Sequence, residues 1–93
     1  MANGESRETM TSPKAMRGLW KLMLKLPSLR GKLQILAVRD GALESLCEAY
    51  EEASEALSNA RLEKAPRKSM LEEYQNICDE IETEVINYCL LHR

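Results

Sequence analysis

Apolar residues recur at alternating spacings of three and four along two stretches of the chain. In the first, Leu43, Leu46, Tyr50, Ala53, Leu57 and Ala60 form one seam, with Cys47 and Ala56 at its edges. This is the pattern of a helix that turns one side toward a partner helix. Glu44, Glu48, Glu51, Glu52 and Glu55 fall on the far side, where water is expected to solvate them. In the second stretch, Leu71, Tyr74, Cys78, Ile81, Val85 and Tyr88 repeat the seam, and Ile77, Ile86 and Cys89 broaden it. Asp40 is placed to cap the first of these helices, and Ser69 with Glu72 has the spacing of a capping box for the second. Pro66 breaks the pattern between them. The spacing predicts helices over 41–62 and 70–91, folded back as a long antiparallel hairpin. In that register Ala60 faces Leu71, Leu57 faces Tyr74, Ala53 faces Cys78 and Tyr50 faces Ile81.

Upstream, Ser12 and Pro13 read as a helix cap and first turn, and Pro27 as the stop, which predicts a helix over 13–26. At 100° per residue Lys14, Arg17, Gly18, Lys21 and Lys25 share a narrow face. Met16, Leu19, Trp20, Leu22, Met23, Leu24 and Leu26 cover the rest, an apolar arc wider than one hairpin groove can bury. The stretch 28–39 fits a short helix through Leu29, Leu33 and Leu36. Alternation of Leu33, Ile35 and Ala37 also fits a short strand, although the chain offers no second strand to pair with it. Residues 1–11 are polar and aperiodic, as in a disordered tail. The fold class expected is all-α: an N-terminal amphipathic helix, a short second helix and the hairpin, as one domain over 12–93.

Size adds a constraint. The chain has 93 residues, no Phe, one Trp and three Tyr, so its core is built from aliphatic residues, Met and Cys. A two-helix hairpin of this kind is too thin to stand alone. A third element or a second chain is therefore needed, and a homodimer is expected, with the first helix and parts of the seams meeting a second subunit in a helical bundle. Three Cys argue against a disulfide framework. Cys78 and Cys89 lie on one helix, about 16 Å apart by helical rise. Reduced thiols, no leader-like N-terminus and no long apolar run point to a cytoplasmic protein.

Charge divides the chain into blocks although the net charge is only −2. Residues 14–39 carry seven bases and no acid, and residues 40–60 carry six acids and no base. The basic patch Lys14, Arg17, Lys21, Lys25, Arg30 and Lys32, with Trp20 among them, would suit nucleic acid. A basic amphipathic helix of this composition would equally suit an anionic membrane surface or a protein groove. Against nucleic acid, the hairpin is acidic and would repel a duplex beside it. The reading favoured by the apolar arc is a protein interface formed by Met16, Leu19, Trp20, Met23 and Leu26, with the bases complementing the acidic arms.

Catalytic chemistry finds no footing. No Ser or Cys has a base at a recognisable spacing, and no glycine-rich phosphate loop occurs. Cys89 and His92 stand three apart, with Cys47 expected near the same end of the hairpin. Two ligands and one further candidate fall short of a structural zinc site, which wants four. No cofactor, metal or small-molecule substrate is implied, and no stretch carries the motif of a characterised family. The sequence points to a small, non-enzymatic helical interaction or regulatory protein.

Overall fold

The computed structural model describes residues 12–39 and 41–92. The expected cap at Asp40 and the polar tail at 1–11 lie outside these residues. The protein is all-α: α1 (Pro13–Lys25), a single 3-10 turn (Pro27–Leu29), α2 (Arg30–Arg39), α3 (Ala42–Arg61) and α4 (Lys68–Leu91). The stretch 28–39, expected as a short helix with a strand as the alternative, is helical, since strand pairing has no partner among the described residues.

Local chemistry sets most of the helix ends. Ser12 caps α1, its Oγ accepting the N–H of Ala15 at 3.2 Å, and Pro13 occupies the first position. Pro27 halts α1, and the N–H of Leu26 closes the last turn onto the Leu22 carbonyl. α4 begins at Lys68, two residues before the predicted start, with Arg67 at the cap and no side-chain cap bond. Ser69 therefore lies inside the first turn, and the expected capping box does not form. Pro66 already supplies the break, so the helix starts as soon as the chain has passed it.

α3 is the central element. Its buried residues Leu43, Cys47, Tyr50, Glu51, Ala53, Leu57 and Ala60 span about half the helix circumference at 100° per residue. A single antiparallel partner covers much less. The extra width comes from two neighbours, α4 on the side of Leu57 and α1 against Cys47 and Glu51. This is why Cys47 is fully buried while Leu46, assigned to the seam, is only half-buried. On the α4 side the Tyr50 hydroxyl donates to Glu82 Oε2 at 2.7 Å, and Arg61 Nη2 donates to Gln75 Oε1 at 3.3 Å. The partner numbers run in opposite senses along the two helices.

α1 crosses α3 in the same sense, from Ser12 beside Glu44 to Lys21 beside Ser54. The crossing is close because of Gly18. A Cβ built there would lie 1.9 Å from the Cys47 carbonyl oxygen and 2.7 Å from its carbon. Both atoms are backbone, so a side chain at position 18 forces the helices apart. Around this point Ala15, Leu19 and Leu22 enter the core with Leu33, Leu36, Leu43 and Val85. α1 thus supplies within one chain the third layer that the hairpin lacks.

Gly18→Ala should destabilise the fold by at least about 1–3 kcal/mol, the usual penalty of overpacking, despite the better helix propensity of alanine. Gly31→Ala is the matched control. Beyond its own turn of helix, no atom lies within 4 Å of its built Cβ, so the same change there should be neutral or stabilising by up to about 1 kcal/mol. Urea unfolding of the two variants beside the parent chain reads both effects, and equal midpoints would refute the crossing argument.

Candidate functional site

The basic face of α1 is turned along the edge of its contact with α3, and its cations meet acids one after another. Lys14 Nζ lies 2.6 Å from Glu52 Oε2, and Arg17 Nε lies 3.0 Å from Glu51 Oε2. Lys21 Nζ is 2.8 Å from Glu51 Oε1 and also donates to Ser54 Oγ at 2.9 Å. Lys25 Nζ stands 3.8 Å from Glu82 Oε2, the same oxygen that accepts the Tyr50 hydroxyl. Four of the six residues expected to form a basic patch therefore face carboxylates of their own chain. Arg30 is exposed and Lys32 half-buried on α2, and neither forms an ion pair among the described residues.

Glu51 departs most from its expected place. It sits on the side of α3 that the heptad pattern gives to water, yet only 2% of it is exposed. The second neighbour, α1, covers that edge of the helix. Burial alone would push the Glu51 carboxyl up, but the Lys21 ammonium and the Arg17 guanidinium outweigh it and hold the group below its ordinary value. The arrangement is asymmetric. The side chains of Arg17 and Lys21 are 52% and 40% exposed, whereas that of Glu51 is 3% exposed.

The apolar arc of α1 is divided three ways. Leu19 and Leu22 are buried, which removes Leu19 from the expected interaction surface because α3 takes that part of the arc into the core. Met16, Met23 and Leu26 are half-buried at its edges and pack against the core. Trp20 is 54% and Leu24 80% exposed, four residues apart on the outward line of the helix. Ile35 and Val38 are similarly exposed on α2.

The three thiols are buried. Burial, followed by the nearby Glu44 and Glu48 carboxylates, pushes the Cys47 thiol up to about 12, and burial raises Cys78 and Cys89 as well. A thiol held protonated is a poor nucleophile and a poor metal ligand. His92 stacks on the Tyr88 ring with centroids 4.0 Å apart, and its Nδ1 lies 2.9 Å from the Tyr88 carbonyl oxygen. Among the described residues no three His, Cys, Asp or Glu side chains gather as a metal-ligand group, and no helix is long and apolar enough to cross a membrane. An open groove between α3 and α4, with Leu57 and Leu71 against Arg61, Glu72, Gln75 and Asn76, brings together no nucleophile and base.

No family model matches the chain, and neither a curated protein nor a solved structure shows significant similarity to it. Of the features described here, the spacing of Trp20 and Leu24 is legible in the sequence. The burial of Glu51 is not, and its one signal lies far off in the chain at Gly18, an isolated glycine inside a helical pattern, with Arg17 just before it and Lys21 one turn after.

Removing the buried carboxylate and removing its cations should differ. Glu51→Gln leaves two cations that can turn to water, and should cost about 1–2 kcal/mol. The pair Arg17→Ala with Lys21→Ala strands a buried charge and should cost about 3–5 kcal/mol. Because the native carboxyl titrates below its ordinary 4.5, its contribution is present above that pH and fades as pH falls through the native value. Denaturation measured from neutral to acid pH should therefore show the difference between the parent and Glu51→Gln shrinking below 4.5. A difference independent of pH would show that the ion pairs contribute nothing.

Proposed function

We infer that the protein is a small, non-enzymatic helical interaction protein whose activity is association through outward helix faces, with a second copy of itself as the partner. One observation carries the reading: α1 is fixed in the fold by Gly18, Leu19, Leu22 and its row of ion pairs, yet keeps Trp20 and Leu24 on the outside. A helix needs one buried stripe to dock on its own chain. A second, outward stripe with a half-exposed Trp is the composition of an interface anchor, since Trp is enriched where binding energy concentrates. Exposed Ile35 and Val38 on α2 extend the same character to the next element.

The half-buried Met16, Met23 and Leu26 border this surface and lend it a pliant rim. Nucleic acid is the weaker reading, because Lys14, Arg17, Lys21 and Lys25 are engaged with Glu51, Glu52 and Glu82. A duplex would have to displace four intramolecular contacts to reach them, leaving Arg30 and Lys32 as a small footprint.

Light-scattering mass on a sizing column tests the reading. The full chain is expected to run as a dimer, and Trp20→Ala to weaken that dimer by about 2 kcal/mol or more while helicity and unfolding midpoint stay near the parent values. A full-length monomer at every concentration would sink self-association. An unchanged dimer in Trp20→Ala would remove Trp20 from the interface.

A further inference from the structure

Resting on the reading of the chain as a self-associating protein, we propose that the outward face of α2 docks against the outward face of α4 of a second copy. On α2 the buried residues are Leu33, Leu36 and Ala37. The opposite side of the helix carries Ile35 and Val38, 57% and 60% exposed, with Arg39 beside them and Arg30 in the first turn of the same helix. On α4 the buried residues are Cys78, Ile81, Val85 and Cys89. Along one flank of the same helix, Glu73, Ile77, Glu80 and Glu84 follow one another at spacings of three and four, and Leu91 continues the line toward the end of the helix. Ile77 is 37% and Leu91 79% exposed.

Charge selects this pairing. Residues 14–39 contain no acid, and residues 69–92 contain no Lys or Arg. The cations of α1 already meet Glu51, Glu52 and Glu82 of their own chain. Arg30 and Arg39 of α2 form no such pair among the described residues, and neither do Glu73, Glu80 and Glu84 of α4. One copy thus presents on α2 an apolar face in a cationic helix, and on α4 a line of acids interrupted by Ile77 and ended by Leu91. Each is the complement of the other, and complementary potentials fix which surfaces meet and in what register. A two-fold arrangement satisfies both contacts at once, since α2 of each copy reaches α4 of the other.

Paired charge reversal tests this face. One variant carries Arg30→Glu and Arg39→Glu, and the other carries Glu80→Lys and Glu84→Lys. All four positions are exposed, so circular dichroism should show both variants folded. Alone, each variant brings like charges together at both contacts, and its dimer should weaken by ~100-fold or more. Mixed in equal amounts, the two restore opposite charge at both contacts, and a dimer of one copy of each should return. The parent dimer should also loosen as salt is raised. Three outcomes overturn the proposal. In the first, each variant is as dimeric as the parent, which moves the interface elsewhere and leaves self-association intact. In the second, both variants are monomeric but their mixture stays so. In the third, the parent chain is monomeric up to roughly 1 mM, the weak end of specific association. That last result also removes the reading on which the proposal rests, and binding of the monomer to anionic vesicles would then identify a lipid surface as the partner.

Discussion

The backbone of α1 rests almost directly on the backbone of α3, and most of the structure depends on that approach. At Gly18 there is no room for even a methyl group before the Cys47 carbonyl. Only at this separation can Leu19 and Leu22 reach the core that α3 and α4 leave open, and only then do Arg17 and Lys21 reach Glu51 from either side. Widening the crossing by the width of a Cβ would disturb apolar packing and ion pairing together, since packed interiors do not deform gradually. Hydrophobic burial supplies the driving force, while the charges determine how α1 is rotated about its own axis. A rotated helix would leave a buried carboxylate without a cation, which is costly in a low-dielectric setting.

That division of labour explains what the sequence could and could not show. Period-3.6 patterning identifies the stretches that became α1, α3 and α4, because each has a stripe that one neighbour buries. It places Leu57 and Val85 inside, and Ser12 and Pro13 at a helix start, for reasons local to those residues. It misplaces Glu51, because the side of α3 facing a second neighbour is fixed by an element some thirty residues earlier. It likewise gives Leu19 to an outer surface, because the breadth of an apolar arc does not say which third of it the chain will use. At Ser69 a sound capping motif loses to Pro66, which opens the helix earlier. The bases of α1 read as a patch from composition alone. Their engagement with Glu51, Glu52 and Glu82 is a property of the assembled molecule.

Two kinds of surface result. One is closed, with cations and anions facing one another along the α1–α3 seam. The other is open, with apolar side chains outward on α1, α2 and α4, and on α2 and α4 with charges that meet no opposite partner among the described residues. A small all-helical chain with a self-sufficient core has no structural need for the second kind. The separation of bases into residues 14–39 and acids into residues 40–60 and 69–92 serves the closed seam directly. It also gives the outer faces of α2 and α4 opposite sign.

The order of elements along the chain has a consequence for synthesis. α1 precedes every residue it leans on: Glu51 follows Arg17 by 34 positions, and the carboxylate of Glu82 near Lys25 comes later still. At ribosomal speeds of about 5–20 residues per second, an amphipathic, strongly cationic helix waits on the order of seconds before its anionic cover exists. α3 and α4 meet across a short turn and can pair as soon as both have emerged. The nascent chain therefore passes through an interval in which α1 displays the charge and apolar surface that the finished fold conceals, and whatever binds it then competes with folding itself.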